Sequence, residues 1–264
     1  MRVTPPITKA AASMLLVAVL ALGCGTIAEK LEEAATPVAG QTPAQPASTA
    51  AASQPTQPRP ERRLEITRSG FSQPTTFITT SIYYAFIVVN HNQKEAAELT
   101  PYQVAFLDET GNVVAKDSGY ITFLFPGEVM GVAGLATVGE GVRASKMQVQ
   151  VGSPNRWSEL KVPARLSAEV QSVTPQRFLG PKVAGVVTNP FARELKGVYV
   201  SIVAYDAAGN IIGGEFTFVN FVPPGGQAPF EATFWEGAEP ARVEAYAAIS
   251  GLTALDLLLP QQQQ

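Results

Sequence analysis

From residue 61 onward, runs of Val, Ile, Phe, Tyr and Thr are broken by Gly, Pro, Asn and Asp, which is the texture of many short strands. Residues 81–89 (SIYYAFIVV) and 198–205 (VYVSIVAY) are β-branched, aromatic or small throughout. In the first, Ile82, Tyr84, Phe86 and Val88 share one face. The opposite face is also largely apolar, so both segments are expected as central strands covered on two sides. No stretch repeats apolar residues over three helical turns. The expected fold class is therefore all-β.

The pattern then recurs. Val88-Val89-Asn90 answers Val187-Thr188-Asn189, and the stretch from Leu107-Asp108 through Gly111-Asn112 answers Tyr205-Asp206 through Gly209-Asn210. Phe125-Pro126-Gly127 likewise answers Pro223-Pro224-Gly225. Asp108 precedes Pro126 by 18 positions, and Asp206 precedes Pro224 by 18, so turn and corner share one offset of 98. A shared offset across two separate features points to an internal duplication, each copy being about 90 to 100 residues, the usual size of an immunoglobulin-like sandwich.

These residues resemble the extracytoplasmic FxLYD-type domains of bacteria and archaea. The resemblance covers most of residues 64–252 and rests on Asn90 and Asn189, on Ala204-Tyr205-Asp206, on the Gly turns and on the Pro-Gly corners. Residues 104–108 and 202–206 keep the hydrophobic spacing of the naming motif without its lettering. The resemblance implies two tandem immunoglobulin-like or fibronectin-like β-sandwich domains on an exported protein, with no catalytic site to carry over.

The N-terminal part has a different pattern. Arg2 and Lys9 precede an apolar run from Ala10 to Leu22, too short to span a bilayer and fitting the core of a secretion signal. Leu20-Ala21-Leu22-Gly23-Cys24 follows, and resembles the bacterial lipobox, with Ala21 where Leu is more usual. That resemblance implies cleavage before Cys24 and a diacylglyceryl thioether on its sulfur. Cys24 is the only cysteine, so no internal disulfide competes for it. An ordinary secretory signal with an incidental cysteine and an uncleaved anchor are the alternatives. Two acyl chains, at about 0.8 kcal/mol per buried CH₂, hold a protein stably to a membrane.

Between Ala35 and Pro60 the chain is dominated by Ala, Pro, Gln, Thr and Ser, with six prolines and no aromatic residue, so it is expected to be a disordered tether. The expected organisation is a signal peptide (1–23), a lipidated N-terminus and tether (24–60), a first sandwich (61–152), a linker (153–164), a second sandwich (165–254) and a tail (255–264).

Charge narrows the partners. The formal charge is −3; without Arg2 and Lys9 the 19 basic residues become 17 against 22 acidic ones, or −5. No Lys/Arg-rich run exists, so nucleic acid is not an expected partner. Asp108 and Asp206, with Gly111 and Gly209, read as hairpin turns in which Asp accepts from backbone N–H groups and Gly adopts positive φ. Neither has a second acid at calcium-loop spacing. Asn90 and Asn189 are expected to satisfy turn backbone, with ligand binding as the alternative. Pro126, Gly127, Pro224 and Gly225 are read as corners.

His91 is the only histidine and has no Cys or His partner for a metal, and no G-x-S-x-G elbow is present. Catalytic residues, metal and cofactor are each expected to be none. Trp157, in Ser153-Pro154-Asn155-Arg156-Trp157 at the expected joint, and Trp235 are the candidate binding surface, with packing as the alternative. The chain is thus expected to be a non-enzymatic, lipid-anchored module outside the cytoplasm, binding a cell-envelope protein or polysaccharide. A structural spacer or complex subunit is the alternative; an envelope hydrolase fits less well.

Overall fold

The computed structural model describes residues 63–74, 80–159 and 165–250. Cys24, the tether and the tail lie outside them. Among the described residues there are thirteen strands and no helix: β1 (Leu64–Ser72), β2 (Ser81–Asn90), β3 (Glu95–Leu107), β4 (Val113–Leu124), β5 (Val129–Thr137), β6 (Lys146–Val151), β7 (Arg156–Glu159), β8 (Ser167–Thr174), β9 (Lys182–Thr188), β10 (Leu195–Tyr205), β11 (Ile211–Val222), β12 (Gln227–Thr233) and β13 (Arg242–Ala248). The protein is all-β and sandwich-like, as its alternating pattern predicts.

The duplication is visible in the topology. Strands β1-β2-β5 form one sheet and β4-β3-β6 another, while β8-β9-β12 and β11-β10-β13 repeat the same two orders. All pairings are antiparallel. Even the irregularities recur: the β3–β4 register shifts between Phe106 and Leu107, and the β10–β11 register between Ala204 and Tyr205.

Period-two alternation assigns the faces. Ile82, Tyr84, Phe86 and Val88 point into a core shared with Val104, Phe106 and Ile121. On the other side of β2, Ala85 and Ile87, with Ala133 of the neighbouring β5, meet Val203, Tyr205 and Ile211 from the second copy. In β10, Val198, Val200, Ile202 and Ala204 enter the second copy's core. Both central strands are thus covered on two faces. The layers run β4-β3-β6, β1-β2-β5, β11-β10-β13, β12-β9-β8, and all described residues belong to one compact unit.

The expected linker at 153–164 needs correction at residues 156–159. These form β7, which continues along the edge of β3 already used by β6, pairing Glu98 with Arg156 and Glu95 with Glu159. The Gly152 N–H donates to Pro101 O at 2.8 Å and the Asn155 N–H to Glu98 O at 3.0 Å, bridging the gap. This pairing also supplies the partners that the buried carboxylate of Glu98 requires. Arg156 pairs with it at 3.1 Å, and the Ser158 hydroxyl donates to it.

Candidate functional site

The residues singled out by repetition occupy matching places. Asn90 and Asn189 are both fully buried. The Asn90 carboxamide Nδ2 donates to the carbonyls of Glu95 at 2.9 Å, Leu124 at 3.2 Å and Phe125 at 3.0 Å. Asn189 Nδ2 donates to Arg193 at 2.7 Å, Val222 at 3.3 Å and Pro223 at 3.0 Å. Asn90 Oδ1 accepts from the Asn92 N–H, and Asn189 Oδ1 from the Phe191 N–H. Each side chain ties a strand end to the Pro-Gly corner, whose Gly127 and Gly225 N–H groups return bonds to Asn92 O and Phe191 O. With every polar atom used internally, these asparagines are structural clamps.

Asp108 and Asp206 close exposed turns. Asp108 Oδ1 accepts from the Thr110 and Asn112 N–H groups, and Asp206 Oδ1 from the Asn210 N–H. Gly111 and Gly209 sit at φ of +88° and +85° in the same turns. The Thr110 hydroxyl bond and the Asn112 N–H hold the Asp108 carboxyl below its ordinary value; the Asn210 amide and N–H do the same for Asp206. Among the described residues no group of three or more His, Cys, Asp or Glu is placed to hold a metal. His91 Nε2 lies 2.9 Å from Glu65 Oε2.

The two tryptophans do not come together as a surface. Trp235 is only 7% exposed. It stacks on Tyr83 of the first copy, with centroids 4.9 Å apart, and meets Phe234 edge-on at 5.3 Å. As a candidate binding residue it is corrected: the ring is consumed by packing between the copies. Trp157 is half-buried on β7 and packs against the first copy's core, pairing opposite Ala97.

What joins the copies was not marked in the sequence. Tyr199 OH donates to Ala133 O at 2.9 Å, and the Ser201 hydroxyl accepts from the Ala133 N–H at 3.3 Å. Thr122 donates to Ile249 O at 2.6 Å and Ser72 to Ile212 O at 2.5 Å. Gly214 lies so close that a Cβ there would stand 2.8 Å from Ala133 Cβ and 2.9 Å from Ala85 Cβ. Small residues therefore let two sheets approach, and side chains close the backbone groups left at their margins.

Beside this joint lies a cleft of about 260 Å³ bordered by Tyr102, Met130, Tyr199, Ile249, Tyr120 and Phe218. Tyr120 is 67% and Phe218 59% exposed, and they stand 98 positions apart on β4 and β11. Burial raises the Tyr84 hydroxyl's pKa above its ordinary value, as does its hydrogen bond to Asp117 Oδ2, 2.6 Å away. This tyrosine is fully buried and packs in the first copy's core. A second opening of about 540 Å³ lies on the outer face of β4-β3-β6. Neither opening was legible in advance, because residues distant in sequence build both.

Fold and site define the described chain as an all-β, sandwich-like body with a fused internal repeat, open clefts and clamped turns. No family model matches the chain, and no curated protein matches it. Among solved structures it is similar to red sea bream transglutaminase at 14% identity and a TM-score of 0.26, over 72% of this chain and 31% of that one.

Proposed function

We infer that this protein is a lipid-anchored module outside the cytoplasm that binds a cell-envelope polysaccharide or protein without catalysis, a lipoprotein with tandem FxLYD-type domains. The anchor reading rests on Cys24 at the end of the apolar run, and the reach on the Pro-rich segment that follows. The observation that carries the binding role is the fate of one surface. The same sheet face is buried in the second copy and open in the first, so the fold presents a rigid platform rather than two loose beads.

Two measurements test this reading. Mass spectrometry of the native protein is expected to find a diacylglyceryl group on Cys24; an unmodified thiol refutes the anchor. The lipidated protein is expected to retain an envelope component from solubilised envelopes; retention of nothing at any salt refutes the binding role. The close joint between copies also favours a second reading, a rigid spacer. An unrelated sandwich of equal length replaces a spacer without loss and fails to replace a binder.

A further inference from the structure

We propose that the outer face of β4-β3-β6 is a binding site for a linear polyanionic glycan, a proposal that rests on the binding-module reading above and gives it a location. Antiparallel register lays the face out in rows. Ser118, Gln103 and Gln150 stand side by side, and Lys116, Ala105 and Gln148 form the next row. Tyr120 and Pro101 bound one end. Lys146 and Leu107 bound the other. Rows are about 7 Å apart along the strands and neighbours about 5 Å apart across them, giving an elongated platform that fits an extended chain.

The chemistry of that platform is selective. Three carboxamides offer paired donors and acceptors, which suits vicinal hydroxyls, and small residues at Ala105 and Ser118 keep the floor of the 540 Å³ cleft low. Tyr120, 67% exposed, stands one row beyond this cleft and borders the 260 Å³ opening, so that an extended chain leaving the amide rows meets an aromatic ring. Charge decides the class of glycan. Lys116 and Lys146 point outward, and among the described residues neither is paired with a carboxylate. The acid on the neighbouring position of β4, Asp117, also borders the cleft, but both its oxygens are engaged, Oδ2 by the Tyr84 hydroxyl at 2.6 Å and Oδ1 by the Ser118 N–H at 2.8 Å.

The internal repeat acts as a control. The matching rows of the second copy are Phe216, Ser201 and Tyr246, then Gly214, Val203 and Glu244. Ser201, Val203, Gly214 and Tyr246 are used in the joint with the first copy. Where the face is needed for packing it carries glycine, valine and aromatic rings. Where it is open it carries three amides, Ser118 and Lys116, with Val113 at one margin.

The test is affinity electrophoresis and calorimetry of the lipidated protein in detergent with four probes: polygalacturonate, fully methyl-esterified pectin, a ribitol-phosphate teichoic acid and neutral pullulan. Binding to polygalacturonate or to the teichoic acid is expected, weakening as salt rises, and the pair of probes tells a carboxylate from a phosphate ligand. Esterified pectin and pullulan are expected to bind at least roughly tenfold more weakly. Gln103→Ala with Gln150→Ala is expected to weaken binding by about tenfold or more, and Lys116→Glu to abolish it. Phe178→Ala, on an exposed loop elsewhere, serves as the control and leaves binding unchanged.

Equal binding of neutral and anionic probes, no binding of either anionic probe, or unchanged affinity in the face variants overturns the site. Urea denaturation of each variant separates a lost site from a lost fold. The envelope pull-down separates the two levels of inference. If the face variants still capture the component that the wild type captures, including an envelope protein, the binding-module reading stands and this face is wrong. If the wild type captures nothing, both fall.

Discussion

The hydroxyl of Tyr199 donates to the carbonyl of Ala133 at 2.9 Å, 66 residues away in sequence. Ala133 lies on β5, the edge of its sheet, so its N–H and C=O point away from β2 and would otherwise face the margin. Tyr199 and Ser201 satisfy both. Tyr199→Phe keeps the ring, which stacks on Phe216 with centroids 5.3 Å apart, and removes only the bond. Urea denaturation is expected to show a loss of about 1–2 kcal/mol with an unchanged slope. An unshifted midpoint would mean that water replaces the hydroxyl at that edge.

Asn90→Ala and Asn189→Ala each leave three buried or partly buried carbonyls without the carboxamide donor. The expected cost is about 2–4 kcal/mol for either. Asp in place of either asparagine lacks the N–H donors and is expected to be no better at neutral pH. Matched losses at both positions in chemical denaturation check that the two clamps are equivalent.

Leu99 has φ of +46° and Gly197, 98 positions later, has φ of +62°. Both stand near the start of a third strand, β3 or β10, where the chain takes a left-handed step. A Cβ on Gly197 would meet nothing within 4 Å, so its substitution isolates the backbone cost. Gly197→Ala is expected to lower stability by about 1 kcal/mol, and Leu99→Gly to raise it by up to about 1 kcal/mol, seen as opposite shifts in Tm.

Glu128 follows the first Pro-Gly corner, where the second copy has Gly226. Burial pushes its carboxyl up to about 7, against the Phe125 N–H bond at 2.6 Å and the charge of Arg165, which both favour ionisation. Its folded pKa lies above the unfolded value, so the folded state binds more protons between about pH 4.5 and 7. Stability therefore falls as pH rises through that window, by up to about 3 kcal/mol from this group. Glu128→Gln is expected to flatten the decline when Tm is followed from pH 5 to 8.

The turns and corners were legible because each is local. Asp108 needs only the next four residues to close its loop, and Asn90 needs a strand end and a corner that repetition marks. For Trp235 the sequence leaves binding and packing both open for the opposite reason: its partner Tyr83 lies 152 positions earlier, and no local pattern says that the two meet.

By itself, the sequence determined the all-β class, the strand alternation and the duplication, since side-chain period and turn chemistry act over a few residues. It marked Ala85 and Ile87 as apolar on the second face of β2 without saying what covers them. Only the tertiary structure decided that, by bringing Gly214 and Val203 against that face. It also decided that Gln103 and Lys116 remain in the open while their repeat counterparts are buried. Burial depends on which sheet meets which, a long-range choice that a residue's neighbours along the chain do not encode.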